Sequence, residues 1–373
     1  MRSLVLFLCL TLAGCSTPPP EPLSRVDRSR AAPSVTAPVS AVRNVEPWEF
    51  AGTPGQTIRT DHYRIFTTAT RPILVKRLPG FLEASLTHYR TSLTDAALPS
   101  PPVKLDTYVM HTRGQWASLT RALMRERAPI YLRIQRGGFA AAGRGVYRDL
   151  GDLNDTFNLA AHEGWHQYTQ LTFKSRLPSY LEEGIATYME GFNWQPRQPD
   201  APIFRPWANM ERFRALRTAA QARRLLSLPE LVSTRPQELI QRDQDMALVW
   251  YAQVWALVHF LNEGNNGRFN ADFNRMLSDA AAGTLNRGAS RFRNLSATTD
   301  RSASLFERYF NASAAELDPA YQRFIARVIA PGGQNDIVAG VRPLKRTTPP
   351  GHPALYPTIQ ASKSSCRQLP SAF

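Results

Sequence analysis

Cysteine is scarce. The 373 residues hold three, Cys9, Cys15 and Cys366, far apart and in no paired metal-ligand spacing. A thiolate-based metal site is therefore excluded. Acidic residues are in deficit too, 30 against 45 Lys and Arg, which gives a formal charge of +15. Such a balance favours anionic partners such as lipid headgroups or acidic envelope polymers. No compact Lys/Arg run interleaved with aromatics is present, so nucleic acid is not an expected partner. There is no internal repeat, and the early apolar run Leu4–Leu12 is too short to cross a bilayer.

Arg2, that short apolar run and then Leu12-Ala13-Gly14-Cys15 have the layout of a cleaved secretory leader. The ending resembles the lipobox of bacterial lipoproteins, which implies that residues 1–14 are removed and Cys15 carries a lipid. Ser16 after it suits an outer-membrane destination, with the body facing the periplasm. With Cys9 lost and Cys15 lipidated, Cys366 has no partner, and any metal must be held by His and carboxylates. Residues 15–56 are rich in Pro, Ala, Ser and Val without periodicity, and are expected to form a flexible lipid-anchored tether.

Order is expected from 57. His62–Thr68 and Val103–Val109 read as strands, with Leu74, Leu78, Phe81, Leu82, Leu86 and Tyr89 at helical spacing between them. A short helix follows over Gln115–Met124. Ile130–Ile134 and Gly138–Tyr147 look extended, and a helix starts near Thr156 with Asp152, Asn154 and Asp155 as capping candidates. Beyond Pro178 the strong patterns are helical: 179–191, 207–223, 244–263, 268–280 and 314–329. The expected class is α+β, with an α/β lobe over 57–176, an all-α lobe over 177–330 and an irregular tail over 331–373.

The chemistry is concentrated in His162-Glu163-Gly164-Trp165-His166. Residues four apart on a helix lie about 40° apart around the axis and one turn up, so both imidazoles share a face. Two neutral imidazoles so placed can bind Zn²⁺. Glu163, turned about 100° from His162, cannot join both as a ligand but can flank the ion and take a proton from water. A catalytic zinc needs a third protein donor and an open position. Further along comes Pro178-Ser179-Tyr180-Leu181-Glu182-Glu183-Gly184-Ile185-Ala186-Thr187-Tyr188, on a helix able to fold back and offer a carboxylate.

Together the two motifs resemble the gluzincin zinc peptidases, and most of all bacterial envelope domains of the peptidase-MA kind. The resemblance implies a zincin-like fold: a mixed sheet with the active-site helix in the N-lobe and an all-α C-lobe. It implies zinc held by His162, His166 and Glu183, with Glu182 as the alternative third ligand, and Glu163 as general base. Tyr251, on the apolar helix Trp250–Val258, corresponds to a tyrosine that steadies the oxyanion, or else is a core aromatic.

Two departures stand out. Gly164 replaces a larger apolar residue, and Thr187 stands where an Asp usually orients a zinc His. That orienting role must then fall to Thr187, to Glu190 or to a residue elsewhere. The aminopeptidase Gly-x-Met-Glu-Asn strand is missing, and Gly137–Gly143 is the candidate substrate-pairing edge. The expected activity is zinc-dependent peptide hydrolysis in the cell envelope. The rivals are a non-catalytic zinc-containing module that binds anionic polymers, and an amidase acting on peptidoglycan peptides.

Overall fold

The structure is a computed structural model that describes residues 41–134, 137–198, 200–286 and 298–343. The leader, Cys15, Cys366 and most of the tail lie outside these residues. The class is mixed α and β. A six-stranded sheet is built from β1 (Asn44–Phe50), β2 (Thr53–Arg59), β3 (Tyr63–Thr67), β4 (Leu105–Met110), β5 (Phe139–Ala141) and β6 (Arg144–Arg148), in the order β1-β2-β3-β4-β6-β5. Strands β3, β4 and β6 run parallel, and the remaining pairs are antiparallel.

The parallel steps need crossovers, and α1 (Pro72–Thr91) supplies the one from β3 to β4. Alternation along β3 and β4 sends Tyr63, Ile65, Leu105 and Val109 into a core shared with α1 and α4 (Leu153–Thr172). Met110 and Val146 face the other way, toward Trp116 of α2 (Arg113–Met124) and Phe139. The β5–β6 hairpin turns through Ala142 and Gly143, both with positive φ (49° and 72°), as a two-residue turn of the type that matches strand twist. That makes β5 an edge strand packed along α4.

Several sequence expectations are corrected. The tether cannot extend to 56, because β1 and β2 already pair from Asn44↔Arg59. Glu46, Trp48 and Phe50 alternate onto one partly buried face, and Pro47 is tolerated because β1 is an edge. Ile130–Ile134 is not extended: Pro129 opens the short helix α3 (Ala128–Leu132), and the Tyr131 ring packs tilted against Phe139, centres 4.5 Å apart. The tail contains a helical turn, α13 (Gly333–Ala339), capped at both ends by left-handed glycines.

After α4 the chain is mainly helical: α5 (Ser179–Met189), α6 (Met210–Gln221), α7 (Leu228–Ser233), α8 (Pro236–Arg242), α9 (Gln244–Glu263), α10 (Asn270–Ala282), α11 (Thr298–Phe310) and α12 (Ala314–Val328). The lobe is not all-α, since β7 (Phe192–Trp194) and β8 (Pro202–Phe204) form a small hairpin between α5 and α6. Among the described residues no helix is long and apolar enough to cross a membrane.

Candidate metal centre

Helix α4 starts where the Asp152 carboxylate accepts the Asp155 N–H at 3.0 Å. It buries Phe157, Ala160, Ala161, Trp165 and Tyr168 in the core. Gly164 belongs to this packing. A Cβ there would come 2.5 Å from the Tyr89 hydroxyl, which donates to the Ala161 carbonyl at 2.7 Å. Helix α1 approaches α4 through that gap, which accounts for glycine within the motif despite its cost to the helix of up to ~1 kcal/mol.

Helix α5 begins beyond Pro178, which caps it through a bond from Leu181 N–H to the Pro178 carbonyl at 3.0 Å. It packs tightly on α9 because Gly184 leaves room: a Cβ there would meet the Val254 carbonyl oxygen at 2.8 Å. The same contact brings Tyr251, one turn earlier on α9, to the edge of the site. Its ring centre lies 6.4 Å from that of His162.

These helices bring His162, His166 and Glu183 together, with ligand atoms within 4.8 Å of one another. The two Nε2 atoms are 3.2 Å apart, and Glu183 Oε2 lies 3.5 Å from His162 Nε2 and 3.4 Å from His166 Nε2. Tetrahedral coordination with bonds of about 2.0–2.1 Å separates neighbouring ligand atoms by about 3.3–3.4 Å. The three observed separations fit that requirement.

Both outer nitrogens are occupied. His162 Nδ1 is 2.8 Å from Glu190 Oε1, and His166 Nδ1 is 2.9 Å from Glu182 Oε1. A carboxylate at Nδ1 fixes the proton there and turns the Nε2 lone pair inward. Glu182, the alternative third ligand, thus serves as the partner of His166, and Thr169 Oγ1 donates to the same oxygen at 2.8 Å. Thr187 does not orient a histidine; its hydroxyl donates to the Gly184 carbonyl. Glu190 does, and it is itself gripped by Asn209 Nδ2 at 2.7 Å and by Arg212 through Nε at 3.1 Å and Nη2 at 2.9 Å.

Charge accounts for the rest. Glu163 aside, the carboxylates of Glu182, Glu183 and Glu190 face one permanent cation, Arg212, an excess of two negative charges around the histidines. A divalent cation or two imidazolium protons would balance them. Burial opposes charge on His162, but hydrogen bonds to Glu183 and Glu190 outweigh it and raise its pKa to about 9. Burial likewise opposes charge on Glu190, yet Arg212 and His162 hold its pKa down at about 2. Glu163 is 7 % exposed, and burial pushes its carboxyl above the usual range. Tyr251 is pushed well up by burial and by Glu183, so it remains a hydroxyl donor.

Sequence reasoning missed Asn209, Arg212 and Thr169, and gave Glu182 a different role. Glu190 was within reach, since seven residues beyond Glu183 is two turns, within about 20° of the same face. No protein-family model, curated protein or solved structure matches the chain.

Proposed function

We propose that this protein is a zinc-dependent peptidase of the gluzincin type with a zincin-like arrangement of sheet and helices. The observation that carries the reading is the convergence of His162 Nε2, His166 Nε2 and Glu183 Oε2 at tetrahedral spacing, with the buried Glu163 carboxyl near enough to interact electrostatically with all three. Three protein donors, rather than four, converge among the described residues, which favours a catalytic site over a closed structural one. A bound zinc ion would supply Lewis acidity, lowering the pKa of a water and polarising a carbonyl.

The protein's own groups then divide the work. Glu163, buried and with its pKa raised, accepts the proton of the attacking water and hands it to the leaving amine. Tyr251 keeps its proton and offers it as a hydrogen bond to the developing oxyanion. The edge strand β5 runs beside α4, where an extended peptide can add to the sheet. A lipid on Cys15 would hold this body at the envelope membrane.

The test is cleavage of an unfolded protein substrate such as casein. Wild type should cleave it, a chelator should stop cleavage, and zinc should restore it. Glu163→Gln should keep the metal and lose turnover by about 10²–10⁴-fold. Full activity in that variant would overturn the assignment of Glu163.

A further inference from the structure

Arg212 lies outside both motifs, 29 residues beyond Glu183, yet it reaches the centre from α6. It is a largely buried cation, its side chain 13 % exposed, beside a site that would receive another cation. Simple electrostatics makes that unfavourable, since a guanidinium near a dication repels it. Its geometry offers a reason for its presence.

The guanidinium forks onto both oxygens of Glu190, Nε to Oε2 at 3.1 Å and Nη2 to Oε1 at 2.9 Å. Oε1 is the atom that meets His162 Nδ1 at 2.8 Å. Asn209, the N-cap of α6, donates to Oε2 at 2.7 Å and to the Thr187 carbonyl at 3.1 Å, tying the start of that helix to α5. Glu190 is the C-cap of α5 and has no rigid helical turn after it, so its carboxylate needs this outside clamp. The Arg212 guanidinium also lies over the Tyr251 ring, 5.5 Å from its centre.

Resting on the zinc reading above, we propose that Arg212 is a positioning residue that holds Glu190 against His162 and steadies Tyr251 beside it. Through Glu190 it fixes the tautomer and direction of the imidazole. It therefore strengthens metal binding despite its charge. Among the described residues its side chain meets Glu190, Glu211 and the Tyr251 ring rather than His162, His166 or Glu183.

The opposing signs make this testable by zinc affinity, measured in a competition titration with a chromophoric chelator. Arg212→Met removes both charge and fork, whereas Arg212→Lys keeps the charge and loses the fork. If Arg212 positions, both variants lose affinity by about 10–100-fold, the usual effect of removing an orienting partner. The visible spectrum of the Co²⁺-substituted protein should change with them. If its charge is what matters, Arg212→Met binds zinc more tightly and Arg212→Lys binds as wild type does; either result overturns the proposal. Circular dichroism and melting of the metal-free forms check folding, and Arg212→Lys carries the test should Arg212→Met fail to fold. A wild type that binds no zinc overturns the functional reading, and this inference with it. Wild-type zinc binding with unchanged affinity in both variants overturns this inference alone.

Discussion

His162 on α4 and His259 on α9 make almost the same local bond, yet only one belongs to a candidate metal centre. His162 Nδ1 meets Glu190 at 2.8 Å, and His259 Nδ1 meets Glu263 at 2.8 Å. His259 is fully buried and His162 largely so, its side chain 12 % exposed. The difference lies on the far side of the ring. His162 Nε2 faces a second imidazole and a carboxylate, whereas the His259 ring stacks on Trp207 at 3.6 Å among aromatic neighbours. The protonation preferences split accordingly, raised at His162 and lowered by burial at His259. A buried His–Glu pair is thus not a metal site in itself; convergent donors and excess negative charge are what distinguish the centre.

The sharpest test of this contrast is a pair of matched substitutions. Glu190→Gln should weaken zinc binding by about 10–100-fold, while Glu263→Gln should leave it unchanged, as measured by chelator competition. Equal effects from the two would dissolve the distinction. In the metal-free protein Glu190→Ala should also cost about 3–5 kcal/mol in urea unfolding, because it strands the buried Arg212 charge.

A smaller effect is expected on the packing that sets the centre. Gly164→Ala forces the Tyr89 hydroxyl away from Ala161 and should cost about 1–3 kcal/mol. Pairing it with Tyr89→Phe should recover part of that loss, since the clashing oxygen is gone. No recovery in the double variant would show that the clash lies elsewhere.

The last test concerns a histidine with no carboxylate at all. His88 is buried against Phe204 with Nε2 unpaired, and burial lowers its pKa from 6.5 to about 3. Below pH 6.5 the unfolded chain takes up a proton that the folded chain refuses. Its contribution is therefore complete above 6.5 and is lost as pH falls toward 3, at up to about 1.4 kcal/mol per pH unit. His88→Phe should flatten that acid slope in chelator-treated protein. An unchanged slope would mean that His88 accepts its proton while folded.

Much of this arrangement was legible because it is local. His162 and His166 share a face through helical geometry alone, and the α9 boundaries, Gln244–Glu263, follow from its apolar run. Apolar residues at helical spacing likewise placed α1, and strand-like patterns placed β3 and β4. What remained hidden depends on distant contacts. Arg212 meets Glu190 across 22 residues, and Tyr89 explains Gly164 across 75. Ile130–Ile134 misled because β-branched and aromatic residues suit strands, whereas Pro129 and packing on Phe139 decide the helix. Strands β1 and β2 were obscured by their prolines, which only an edge position and a strand start make tolerable.

The most direct measurement is the zinc content of the purified protein by mass spectrometry, beside His162→Ala and His259→Gln. About one zinc per chain is expected in wild type and in His259→Gln, and none in His162→Ala. A folded wild type that takes up no zinc from excess, or a His162→Ala variant that retains it, would contradict the account.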